Sequence, residues 1–351
     1  MSRPIVSLAL QPTLRAKLLE NGYRTVQDLE GLRPSDLSKE LEITIEFAAE
    51  ILQRVMPVTI ESIPASQLLE RERQRPRISM GTQALDQLFG GHGLTPGSIT
   101  EFFGVPGIGK TQLGIQLSIN CQAPAAHGGA AVAGRAIYID TEGSFMARRA
   151  QQIASGLRER LTEASEFTTA GAVDPTAVPS VNQLLEGITY FRTYDHIELV
   201  ALLGQLDTFI QQQHSAAATP YRLIVIDSIA FPFRAGFTDM AQRARQLSTV
   251  AQLLSQLARH HELVVVLMNQ MTTKMGFGSG GGDLDDTSGS SSHQQQQHLV
   301  PALGESWGHV CNHRVALYWE HGVRQARVFK SPSLKNQTAT YGVDQSGLVD
   351  V

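Results

Sequence analysis

The chain is poor in cysteine. It holds two, Cys121 and Cys311, at a spacing that matches no metal or redox motif. A disulfide scaffold and a thiol catalyst are thereby excluded, and the expectation is two reduced, structural thiols in an intracellular protein. No run of about 18 apolar residues occurs, which excludes a membrane-spanning helix and a membrane partner. Residues 1–7, Met-Ser-Arg-Pro-Ile-Val-Ser, lack a signal-peptide pattern. An excess of basic charge is missing as well: 29 Lys and Arg against 33 Asp and Glu leave a net charge of −4. Strong non-specific nucleic-acid binding by bulk charge is therefore not expected, although a local basic site remains open. With 351 residues, 42% hydrophobic and 18% charged, the chain suits a globular domain of ordinary to large size plus a small one.

What is present is led by a phosphate loop. Gly104, Val105, Pro106, Gly107, Ile108, Gly109, Lys110 and Thr111 spell a complete G-x-x-x-x-G-K-[ST] motif, with Gln112 next in line. Ser98–Phe103 before it reads as a buried strand, and Gln112–Ile119 after it as a helix. The glycines let the backbone wrap a phosphate chain with its N–H groups turned inward, and the helix N-terminus adds positive potential. Lys110 can reach the β- and γ-phosphates, and the Thr111 hydroxyl can ligate Mg²⁺. ATP and Mg²⁺ are the ligands this pattern implies.

Three further strands end in polar residues. Leu223–Ile226 is apolar throughout, as suits a parallel strand buried on both faces, and it ends in Asp227, a candidate holder of Mg²⁺ through water. Ala136–Ile139 runs into Asp140-Thr141-Glu142, and Glu142 is the candidate for polarising the attacking water. Leu263–Met268 ends in Asn269-Gln270, where an amide on Gln270 could sense the γ-phosphate. Ordinary strand-end turn residues would look the same at the last two places.

Residues 1–56 read as a small all-helical unit of the helix-hairpin-helix kind. A helix from Pro12 ends at Asn21-Gly22, a short turn has Thr25 as N-cap, a third segment opens at Pro34, and a fourth helix runs from Thr44 to Met56. Residues 57–77, with three prolines, read as a linker, inside which 65–72 could form a short helix. The α/β core runs from 78 to 351. It is interrupted by an Ala/Thr/Glu/Pro-rich stretch, 156–180, and by a Gly/Ser/Asp/Gln loop, 276–298, which has no Lys or Arg and is expected to be mobile. Strands at 311–319 and 325–330, joined at His321-Gly322, read as an antiparallel hairpin.

Several motifs, in order, carry a resemblance. Thr82–Gly91, then Pro96–Glu101, then the phosphate loop resemble the core entry of RecA-type recombinases. Glu142–Met146, Ile229–Arg234, Asn269–Lys274, Leu299–His309 and Lys330–Ser333 are similar to the C-type paralogue branch of the eukaryotic recombinases, and the likeness spans roughly residues 8–340. The resemblance implies a RecA-like P-loop ATPase core: a mostly parallel twisted sheet with helices on both faces and antiparallel strands toward the C-terminus. It implies Arg149 against the adenine, His309 as a γ-phosphate sensor at a subunit interface, and Lys330 to Pro332 in a cap over the ATP of a neighbouring subunit. It also implies sister paralogues, the main recombinase and single-stranded or branched DNA as partners, and residence in the nucleus with the cytoplasm as a second compartment.

Two departures qualify it. The linker shows Ile63-Pro64-Ala65-Ser66 where filament-forming recombinases carry a Phe-x-x-Ala hook, and Phe167-Thr168-Thr169-Ala170 lies inside the core instead. The acidic loop 276–298 should repel phosphates. Candidate DNA contacts are then Arg234, Arg243, Arg245 and Lys274, which equally suit solvated helix faces. A DNA-dependent ATPase working in a hetero-oligomer is the leading expectation. An ATP-locked adaptor with little turnover and a self-sufficient strand-exchange recombinase are the alternatives.

Overall fold

A computed structural model describes residues 4–7, 12–29, 32–55, 62–123, 134–167, 178–216, 219–234, 237, 239–274 and 298–351; at 53–55, 164–167, 214–216, 272–274, 298–300 and 305–306 it describes the backbone. The chain divides into two compact units, Met1–Glu70 and Arg71–Val351. Residues 57–61 of the expected linker, 276–297 of the acidic loop and 168–170 of the Phe-Thr-Thr-Ala segment lie outside the described residues.

The first unit contains helices α1 (Pro12–Glu20), α2 (Pro34–Leu41) and α3 (Ile45–Val55) with short 3₁₀ turns at Ile5–Ser7 and Val26–Leu29. Leu14, Leu18, Leu29, Leu37, Leu41, Ala48 and Ile51 fill its core together with Ile5. Gly22 ends α1 at φ +90°, a conformation that glycine adopts without the Cβ penalty. The 3₁₀ turn after it is capped from inside. Thr25 stands at the N-cap position before Val26, and Asp28 Oδ2 reaches back to accept from the backbone N–H groups of Arg24 (2.7 Å) and Thr25 (2.8 Å). Helix α4 (Ala65–Gln74) starts at the Pro64-Ala65 step that the sequence marks.

Among the described residues the second unit is built on ten strands: β1 (Ile99–Gly104), β2 (Arg135–Asp140), β3 (Ile188–Arg192), β4 (Tyr221–Asp227), β5 (Val264–Lys274), β6 (His298–Pro301), β7 (His313–Glu320), β8 (Val323–Lys330), β9 (Thr338–Asp344) and β10 (Gly347–Val349). Their order across the sheet is β10-β9-β8-β7-β1-β5-β4-β2-β3, with β6 paired to β5. Strands β7, β1, β5, β4, β2 and β3 are mutually parallel. Strands β8, β9 and β10 extend the sheet antiparallel, as does the β5–β6 pair.

The central strands are apolar without alternation because both faces are covered. Leu223 and Val225 of β4 and Val264, Val266 and Met268 of β5 face one core, which α6 (Lys110–Asn120), α7 (Ala147–Phe167) and α8 (Val181–Glu186) close. Ile224, Ile226, Val265 and Leu267 face the other, closed by α9 (His196–Ala216) and α10 (Met240–His260). Among the described residues no helix is long and apolar enough to cross a membrane. The β7–β8 hairpin turns at His321 (φ +50°) and Gly322 (φ +79°), the paired positive φ values that a two-residue turn requires.

One consequence of the parallel order positions the site. The carboxyl ends of β1, β5, β4 and β2 lie along one edge, with Gly104 opposite Gln270, Asp227 opposite Met268, and Asp140 opposite Asp227. Beneath that edge, Glu101 of β1 is fully buried. It accepts hydrogen bonds from the Asn269 amide of β5 (2.6 Å) and the Arg314 guanidinium of β7.

Candidate nucleotide site

The phosphate loop is held by close packing that only glycine permits. Gly104 ends β1 where an added Cβ would lie 2.4 Å from the Leu317 carbonyl oxygen. Gly107 (φ +78°) and Gly109 (φ +111°) take left-handed backbone, and Gly109 caps α6, which begins at Lys110. That backbone aims successive N–H groups, and the positive end of α6, into one concavity. The Lys110 ammonium folds back onto the carbonyls of Gly104 (2.8 Å) and Val105 (2.9 Å). Burial pushes its pKa down, opposed by the nearby Asp227 and Glu142 carboxylates.

Thr111 and Asp227 come together from 116 residues apart in the sequence. Asp227 Oδ2 accepts from the Thr111 hydroxyl at 2.6 Å and the Tyr138 hydroxyl at 2.9 Å. Asp227 is 3% exposed, and this burial holds its carboxyl above the ordinary range despite those two donors. A hydroxyl and a carboxylate side by side at a strand end suit a hard cation such as Mg²⁺. The glycine cradle, the lysine at its mouth and this oxygen pair fit a Mg²⁺-bound nucleoside triphosphate.

Glu142 and Gln270, which the sequence suggests only separately, are in direct contact. Glu142 Oε1 accepts from the Gln270 amide and from the Ser228 hydroxyl. The carbonyl oxygen of the Gln270 amide in turn accepts from Arg234. Position 140 proves to be an organiser. Asp140 is fully buried, and its carboxylate accepts from the backbone N–H groups of Glu142, Gly143, Ser144 and Phe145 and from the Tyr190 hydroxyl. It thus fixes the turn that presents Glu142. Sequence reasoning missed Ser228, Tyr138 and the role of Asp140. A hydroxyl at 228, directly after the strand-end Asp227, and a tyrosine inside an apolar strand were the available signals.

Arg149 bridges α7 to the β9–β10 turn through the carbonyls of Asp344 (2.5 Å) and Gln345 (2.7 Å), and also donates to Gln112 on α6. Through Gln112 it contacts the residue that follows Thr111. His309 is exposed just past α11 (Glu305–Gly308), and Pro332 is exposed after β8. Within the chain, the Lys330 ammonium donates to the carbonyls of Gly308 (2.8 Å) and Cys311 (3.0 Å). It thereby braces the turn that carries His309.

Arg234 and Arg243 line a surface depression with Phe233, Phe237, Met240 and Ala302. Arg243 also donates to the Phe233 carbonyl (3.0 Å). Arg245 pairs with Asp239 at 3.5 Å, and the Lys274 side chain lies outside the described residues.

Comparison with known proteins agrees with this geometry. The Rad51 family model matches residues 71–169 and 177–351. The DNA repair protein RAD51 homolog 3 of Cricetulus griseus is 38% identical over an alignment of 368 residues, covering 100% of this chain and 93% of that relative. The protein of the same name from Dictyostelium discoideum is 38% identical over 267 residues, 76% of this chain and 64% of its own length. The archaeal DNA repair and recombination protein RadA of Metallosphaera sedula is 29% identical over 339 residues, 95% and 91% of the two chains. A RecA-like sheet with its phosphate loop, acidic strand end and glutamate on one edge, matched by that family model over most of its length, makes this chain a member of the Rad51 family.

Proposed function

We propose that the chain is a DNA-dependent ATPase of the recombinase-paralogue kind, acting in homologous recombination repair as part of a hetero-oligomer with sister paralogues. The observation that carries this reading is the contact of Glu142 with Gln270 at the sheet edge, continued by Gln270 to Arg234. Lys110 and the loop N–H groups would take the β/γ-phosphates, and Thr111 and Asp227 would hold Mg²⁺. When bound, the metal neutralises charge on the phosphates. Glu142 would orient the attacking water once Ser228 and Gln270 release it. Gln270 would report that release to Arg234, at the surface where DNA is expected. The names of the relatives support the repair role, and nuclear residence and the paralogue partners belong to the same proposal.

A second reading has its own observation. Glu142 is engaged by two donors, which suits a site that binds ATP as a lock between subunits and turns it over little. Glu142→Gln separates the two. A motor keeps nucleotide binding and loses turnover, whereas a lock shows the same negligible turnover before and after the change.

A further inference from the structure

Far from the strand-end edge, α9 and the end of α10 bring three metal-binding side chains together. Asp207 Oδ1 lies 2.8 Å from His260 Nδ1 and 2.8 Å from His261 Nε2. The three ligand atoms lie within 4.8 Å of one another. Neighbouring residues on a helix point about 100° apart, since a turn takes 3.6 residues. Here the helix stops between them: His260 is the last residue of α10, and His261 is its cap, with φ −104° and ψ 7°. The two rings consequently stand 4.6 Å apart, facing one carboxylate.

We propose that Asp207, His260 and His261 form a site for a borderline divalent transition metal, with Zn²⁺ the best match. Two imidazole nitrogens and one carboxylate oxygen are its ordinary donor set, and three protein ligands leave a fourth position for water. His261 is anchored, with 7% of its side chain exposed, while His260 is open to solvent and gives an entry path. Gln211, one turn from Asp207 on α9, donates to the second carboxylate oxygen at 3.0 Å, which orients the ligating one. Donors around a tetrahedral ion sit about 3.3 Å apart, so each contact opens by roughly half an ångström on loading. A tautomer shift frees the two facing nitrogens. The metal would pin the end of α10 to α9.

The test uses the full chain without nucleotide, in excess Mg²⁺ to occupy the Thr111–Asp227 pair. Co²⁺ is titrated as the visible probe and then displaced by Zn²⁺. One equivalent with a visible Co²⁺ spectrum is expected, with a thermal midpoint raised by Zn²⁺. His260→Ala and Asp207→Asn should each weaken binding at least about tenfold, and Gln211→Ala by about tenfold. Equal titration of the parent chain and both ligand variants would place the metal elsewhere and overturn the site. So would the absence of any Co²⁺ spectrum at about 100 µM, a concentration at which a three-ligand site should load.

Discussion

At the scale of single residues, the site is a set of charges removed from water. Lys110 is pushed down and Asp227 up, both by burial. For Asp227 the sign follows directly. Its folded pKa lies above its unfolded one, so the folded chain favours the proton, and ionisation costs stability as pH rises through the folded value. Bound Mg²⁺ offsets that cost. Lowering the pH toward the raised Asp227 value should therefore weaken Mg²⁺-dependent nucleotide binding, and Asp227→Asn should remove that pH dependence. The same variant should keep or raise the thermal midpoint of the nucleotide-free chain, while lowering Mg²⁺–nucleotide affinity about 10–100-fold. Calorimetry and nucleotide titration across pH check both arms. Glu142→Gln should slow turnover about 10²–10⁴-fold with affinity retained, read by single-turnover hydrolysis. These residues were legible to different depths. Lys110 and Thr111 sit in a phosphate-loop motif and Asp227 at the end of an apolar strand, which is what singles them out for their proposed roles. The roles of Asp140 and Ser228 were not, because an acceptor of four backbone N–H groups looks the same in sequence as any strand-end aspartate.

At the scale of elements, packing beneath the edge fixes where the site residues stand. Gly104 lies so close to β7 that Gly104→Ala must displace the Leu317 backbone, at a cost of about 1–3 kcal/mol. Arg314→Met leaves the Glu101 carboxylate buried and unpaired between β1, β5 and β7, which costs about 3–5 kcal/mol. Denaturant unfolding of each variant reads these values, and unchanged midpoints would show that the strands do not depend on the contacts. The strands carrying the motifs, β1, β2, β4 and β5, were legible because runs of Ile, Val and Leu buried on two faces have few other uses. The β7–β8 hairpin was legible from His321-Gly322. Strand β3 was missed. Its five residues, Ile188 to Arg192, are all partly or fully exposed on an edge, so no apolar run marks them. Strand β10 is three residues long, too short to show a period.

At the scale of the whole molecule, a net charge of −4 means that any DNA contact rests on a local basic surface. Arg234 and Arg243 provide one beside the depression. If Arg243 meets a phosphate, Arg243→Ala should reduce the salt slope of single-strand binding by about one, measured by anisotropy across salt concentrations. The same region connects through Gln270 to Glu142, so occupancy of that surface and ATP turnover are expected to move together. The most direct test is steady-state ATP hydrolysis by the purified chain, alone and with a sister paralogue, with and without single-stranded DNA at fixed salt. The account predicts a rate that DNA raises when the partner is present and that Lys110→Ala abolishes. Tight ATP binding with no turnover in any combination, or a fully DNA-stimulated rate from the chain alone with filaments visible, would contradict it.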